Sequence, residues 1–132
     1  MSEFHVVEIE MDDVDCLLQA LKEMKYNPKV HQDAVNLYGY QGDKRKQKAH
    51  VVIPRSQVGS ASNDVGFEKV DGKYIMHLSA YDKGVFKLNK LKQLYAKNKV
   101  FKFVKKNAGR YSLGKTQTKE DGSIKIKLKL FR

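Results

Sequence analysis

Between Phe4 and Met11 the chain alternates, with Val7, Ile9 and Met11 on one side and Val6, Glu8 and Glu10 on the other. A period of two predicts a half-buried strand. At Asp12 and Asp13 the period changes. Two acids suit an N-cap and a negative first turn, and Val14, Leu17, Leu18, Leu21 and Met24 follow at helical spacing. This helix is expected to stop near Tyr26 and Asn27, because Pro28 lacks an N–H and disfavours helical geometry in the residue before it. Residues 29–40 read as a second, less regular strand.

Further on, the pattern alternates between strands and turns. Residues 39–48 combine two glycines with four basic residues and are expected to form an exposed loop. A strand at 49–53 ends at Pro54, and the small, polar stretch 55–63 reads as a mobile loop. Asp71-Gly72 is a strong two-residue hairpin signal. Pairing Val70 with Lys73 across it sets Phe67 opposite Met76 and Val65 opposite Leu78, so turn and apolar pattern agree.

From Leu88 the period becomes helical again. Leu88, Leu91, Leu94, Tyr95 and Phe101 form a stripe that Val100 and Val104 widen, ending near Asn107 and Gly109. A last hairpin follows, its final strand alternating Ile124, Ile126, Leu128 and Leu130 with Lys125, Lys127 and Lys129. A three-residue turn with Gly122 in the left-handed position would pair Thr118 with Ile124 and Thr116 with Ile126. Two helices among six or seven strands predict an α+β fold: an antiparallel sheet with both helices on one face, ferredoxin-like with an added hairpin. At 132 residues, one domain is expected.

Charge changes the picture more than composition does. Residues 1–43 carry a net charge of −6 and residues 44–132 a net charge of +17, with ten basic residues and no acid between Lys83 and Arg110. Such density attracts phosphate backbones or acidic protein surfaces. The acidic front end is expected to face elsewhere. Lysines number 22 and arginines 4, which favours diffuse contact over bidentate reading of bases. Lys87, Lys90, Lys97 and Lys106 are expected on the exposed side of the second helix, as the main source of positive field. Lys44, Arg45, Lys46 and Lys48 would form a second basic element beside Tyr38 and Tyr40, with Tyr81 and Tyr111 flanking the helix. Aromatic faces next to cations suit single-stranded nucleic acid.

Other chemistry is weaker. The string Gly109-Arg110-Tyr111-Ser112-Leu113-Gly114-Lys115-Thr116 fits the phosphate-loop formula, yet it follows a helix and leads into a hairpin where a phosphate loop follows a strand and opens a helix. His5, His31, His50 and His77 fall on different elements with no metal-ligand spacing, so structural roles are expected and no metal or other cofactor. Asn63 and Asp64 precede a strand, where an acid either caps a turn or acts as a base; the turn is the favoured reading. Cys16, the single cysteine, is expected to be a buried, unreactive thiol. No apolar run approaches the roughly 20 residues of a membrane span, and no secretory leader is expected.

The strings Leu37-Tyr38-Gly39-Tyr40-Gln41-Gly42, Ala49-His50-Val51-Val52-Ile53, Asn63-Asp64-Val65-Gly66-Phe67 and Asp121-Gly122-Ser123-Ile124, in this order, resemble the chloroplast hypothetical reading frame thirty-five family of cyanobacteria, red-algal plastids and other bacteria. The resemblance covers nearly the whole chain. It implies a small cytosolic or stromal domain of unknown function, with no catalytic residues to carry over. Typical members are far less lysine-rich, especially along the second helix. That bias suits an AT-rich genome, phage or plastid. The expectation is thus a non-catalytic module binding single-stranded nucleic acid or another polyanion, with little sequence preference and with no small-molecule substrate. The alternative is an accessory or inhibitory subunit that docks an acidic protein.

Overall fold

Alternation carries straight through into the first strand, β1 (Phe4–Met11), where Ile9 and Met11 are buried, Val7 is half-buried and Val6 is exposed. The computed structural model describes residues 2–107, 111–118 and 124–130. Asp13 caps helix α1 (Val14–Glu23), its Oδ1 accepting the Cys16 N–H at 3.2 Å. The helix closes before Pro28 has any say. Lys25 turns left-handed at φ 73°, and the Lys25 and Tyr26 N–H groups donate back to the Lys22 and Leu21 carbonyls at 2.9 and 3.0 Å. That is a Schellman closure with lysine in the glycine position.

Strands β2 (Lys29–Tyr38) and β3 (Lys44–Ile53), the one-turn helix α2 (Arg55–Val58), strands β4 (Val65–Val70) and β5 (Lys73–Ser79) and helix α3 (Leu88–Lys106) follow. β1 to β5 form one antiparallel sheet of order β1-β5-β4-β3-β2, and β6 (Tyr111–Thr118) and β7 (Ile124–Leu130) form a separate two-stranded sheet. The α+β class is the one the sequence predicts. The details differ in three ways. The strands do not join a single sheet of six or seven. A third helix, α2, appears where a mobile loop was expected. A ferredoxin-like split leaves one strand between those flanking the first helix, whereas three lie between β1 and β2. The reason is local pairing: β2 to β5 run as a meander, each strand pairing with the next in sequence, through two turns and the connection that holds α2, and β1 adds at the open edge of β5.

Both longer helices cover the same face. Leu17, Ala20 and Leu21 of α1 and Leu91, Leu94 and Tyr95 of α3 share one buried cluster with Val51, Ile53, Phe67, Met76 and Leu78 of the sheet. At Asp71-Gly72, φ values of 51° and 80° make the two-residue turn the sequence asks for, and β4 pairs with β5 in the expected register, Val70 with Lys73 and Phe67 with Met76. In β6 and β7, Thr118 pairs with Ile124 and Thr116 with Ile126, again as expected. The turn at Gly122 lies outside the described residues.

The other face is covered by the β2–β3 hairpin, which bends across it. Register shifts interrupt the pairing of β2 with β3 between Val30 and Val35 and between Asn36 and Tyr38. Beyond the bend Leu37 and Ala49 lie over Gly66, where an added Cβ would sit 2.6 Å from the Ala49 Cβ and 2.8 Å from Leu37 Cδ2. Gly66→Ala is therefore expected to cost about 1 to 3 kcal/mol by overpacking. Ala49→Gly in the same chain should recover part of it, read as the urea midpoint. A Gly66→Ala midpoint equal to wild type would show that the hairpin is not held against this face.

Candidate nucleic-acid interface

A knot of buried polar side chains organises one end of the sheet. Asn63, Ser79 and Asp82 are fully buried. Asp82 Oδ2 accepts three hydrogen bonds: from the Asn63 backbone N–H at 2.9 Å, from Asn63 Nδ2 at 3.2 Å and from Ser79 Oγ at 2.6 Å. Ser79 Oγ in turn accepts from Asn63 Nδ2 at 2.9 Å and from the Asp82 N–H at 3.1 Å. Burial of such groups is tolerable only because they satisfy one another.

The knot reaches outward to three tyrosines. Asn63 Oδ1 accepts the Tyr40 N–H at 3.0 Å, and Asp64 accepts the N–H groups of Tyr38 at 2.9 Å and Arg55 at 2.8 Å. The Asp64 N–H donates to the Tyr38 carbonyl at 2.9 Å. Tyr81 directly precedes Asp82, in a turn whose Ala80 N–H donates to the Glu3 carbonyl at 2.8 Å. The backbones of Tyr38 and Tyr40 are thus hydrogen-bonded to Asp64 and Asn63, and Tyr81 is the chain neighbour of Asp82, while the three side chains face water, with exposures of 44%, 39% and 50%. Asp64 spends both carboxylate oxygens on backbone amides, so it holds the turn, the reading favoured over a base.

The expected basic residues divide sharply. Residues 44–48 are not a loop but the start of β3: Tyr38 pairs with Lys44 and Asn36 with Lys48. Lys44, Lys46 and Lys48 are exposed, on alternate positions. Arg45 turns the other way, its Nε donating to Asp43 Oδ2 at 2.6 Å and its guanidinium lying 5.3 Å from the Phe4 ring centroid. It is a packing residue rather than a free cation. Lys87 and Lys90 remain exposed at the start of α3, beside Met24, Tyr26 and Val85, and Lys106 is exposed at the other end of the helix.

Lys97 overturns its expectation. It is partly buried, ion-paired with Glu23, and its ammonium lies 5.6 Å from the centroid of the Phe101 ring, which sits at the rim of the stripe rather than within it. Asn98 takes the buried position instead, donating from Nδ2 to the Cys16 carbonyl at 3.3 Å. The acidic front end does not face elsewhere either. Lys99 pairs with Asp12 at 3.3 Å and Lys102 with Asp13 at 2.5 Å, so α1 and its cap neutralise part of the α3 field. Hydrogen bonds from these lysines hold both carboxyls below the usual aspartate range and push both ammonium groups above theirs. Tyr95 completes the joint, its hydroxyl accepting the Asp12 and Asp13 N–H groups at 3.0 and 3.1 Å.

Two of the four histidines have partners within the sheet. His77 Nε2 lies 2.9 Å from Glu68 Oε1, and His50 Nδ1 accepts the Lys69 N–H at 3.0 Å. Burial pushes the Cys16 thiol up, which disfavours the reactive thiolate. Tyr111 opens strand β6, where a phosphate loop would open a helix; Gly109 and Arg110 lie outside the described residues. Among the described residues no helix is long and apolar enough to cross a membrane, and no three His, Cys, Asp or Glu side chains gather as a metal site. Sequence reasoning passed over Ser79 and Asp82. Their spacing, Ser-x-x-Asp, is a capping signature that could have marked them.

No curated protein and no solved structure matches the chain. Residues 20–127 match the model of the family described as Protein of unknown function (DUF1257), and the chain belongs to that family.

Proposed function

We propose that the protein is a non-catalytic module that binds single-stranded nucleic acid with little sequence preference, through Tyr38, Tyr40 and Tyr81 and the lysines of β3. The carrying observation is the attachment of three exposed tyrosines to one buried polar knot, next to the exposed Lys44, Lys46 and Lys48. Stacking platforms need aromatic faces held in place, and phosphates need unpaired cations. Lys44, Lys46 and Lys48 form no ion pair among the described residues, whereas Lys97, Lys99 and Lys102 of α3 do. This moves the centre of the site from α3 to the end of the sheet. The sequence strings support a place in the chloroplast hypothetical reading frame thirty-five family and a cytoplasmic or stromal setting.

Filter binding to a single-stranded oligonucleotide over a range of salt tests the reading. Affinity should fall steeply with salt. Changing Lys44, Lys46 and Lys48 together to Gln should lower the log–log salt slope by about 2, at roughly 0.7 per lost phosphate contact. No retention at low salt, or a slope unchanged in the variant, would rule this site out. An acidic protein partner is the second reading, favoured by the groove at the start of α3, where Lys25, Lys87 and Lys90 border Met24, Tyr26 and Val85.

A further inference from the structure

β1 is an outer strand of the five-stranded sheet, and among the described strands nothing pairs with its edge away from β5. Such an edge presents N–H and C=O groups that another strand can take up. Which residues present them follows from the pairing on the other side. From Phe4 to Glu8 the strand pairs with β5 without a break, Phe4 with Ser79 through to Glu8 with Ile75. In the same register the Ala80 N–H donates to the Glu3 carbonyl at 2.8 Å, so Glu3, His5 and Val7 turn their backbone groups towards β5, and Phe4, Val6 and Glu8 turn theirs outward. By alternation these three also share one face of the sheet. Val6 is 58% exposed and Glu8 is exposed beside it. The Phe4 ring lies under the Arg45 guanidinium, in a cleft lined also by Glu3, Lys44, Lys46 and Gln47, where cations outnumber acids.

We propose that β1 pairs with β1 of a second copy of this chain, antiparallel about a two-fold axis at Val6. An axis perpendicular to the sheet reverses the strand and keeps each face on its own side, so outward-turned residues meet one another. With Val6 at the axis, Val6 meets the partner's Val6, and Phe4 meets the partner's Glu8. Each of these pairs then exchanges both backbone hydrogen bonds. The two exposed valines cover each other, and the Glu8 carboxylate of each copy comes beside Phe4 at the basic cleft of the other, so opposite charges meet twice by symmetry. An axis at Glu8 is the worse choice. It would set two glutamates opposite each other and run into the register shift between Glu8 and Met11. A patch that meets itself closes, so this pairing yields a dimer rather than a fibre. It does not rest on the nucleic-acid reading and is measured without nucleic acid.

Sedimentation equilibrium of the full chain, freed of nucleic acid, should show a dimer. Val6→Pro removes an outward N–H that β5 does not use, a place where an edge strand tolerates proline, and should weaken dimerisation at least about tenfold. Cysteines then fix the register. Cα atoms of a hydrogen-bonded antiparallel pair lie about 5.5 Å apart, within the span of a disulfide, so Val6→Cys should give a disulfide-linked dimer on oxidation. Glu8→Cys should not, because its two copies lie four residues apart along the paired strands, about 14 Å at roughly 3.4 Å per residue. The parent chain, whose Cys16 is buried, is the control. A parent chain that is monomeric at its highest soluble concentration, a Val6→Pro dimer as tight as the parent, or Glu8→Cys linking as readily as Val6→Cys would overturn the proposal. Circular dichroism checks the fold of each variant. If Val6→Pro loses it, Val6→Lys, which sets two ammonium groups together at the axis from an exposed position, takes its place with the same expectation.

Discussion

Asp82→Ala is expected to remove about 2 to 6 kcal/mol of stability, the sum for two buried donors left without an acceptor at about 1 to 3 kcal/mol each. The two are the Asn63 backbone N–H and the Ser79 hydroxyl, both of which donate to Asp82 Oδ2. Asn63 Nδ2 keeps its bond to Ser79 Oγ and adds little. Asp82→Asn is the informative contrast. It keeps an oxygen for the donors and replaces Oδ1, which is buried without a hydrogen-bond partner among the described residues, by an amide nitrogen. Urea unfolding should therefore place Asp82→Asn much closer to wild type than Asp82→Ala. Equal loss in both variants would mean that the carboxylate charge, and not the oxygen's acceptor capacity, holds the knot together.

Whether a feature can be read from the sequence depends here on how far apart its parts lie. The β4–β5 register follows from Asp71-Gly72 and from apolar residues within a few positions of it, and β1 follows from its own alternation. The run Lys44-Arg45-Lys46-Gln47-Lys48 shows no apolar partner at period two, so nothing local marks it as a strand. It becomes one by pairing with β2 and bending across the second face, where Phe4 covers Arg45. The ion pairs of Lys97, Lys99 and Lys102 join residues more than 70 positions apart, so no sequence window contains both partners. The candidate site was half visible for the same reason. Tyr38 and Tyr40 stand out beside lysines, but Tyr40 is tied to Asp82 through Asn63, and Tyr38 to the neighbouring Asp64, across more than 20 positions of chain.

Changing Tyr38, Tyr40 and Tyr81 together to Leu is expected to weaken binding of a single-stranded oligonucleotide by roughly 1 to 3 kcal/mol for each base that stacks. One lost stack is then about a tenfold to hundredfold effect, and two or three would take binding out of a micromolar assay. The exposed rings contribute little to the core, and the knot holds their backbones rather than their side chains, so the fold should persist. Heparin separates stacking from charge, because it carries anions and no bases. If the tyrosines stack, oligonucleotide binding falls and heparin binding stays near wild type. If both ligands bind as before, the rings take no part and the lysines of β3 act by charge alone. An acidic protein at the Lys87 and Lys90 groove then becomes the stronger reading, since charge docking asks nothing of an aromatic face.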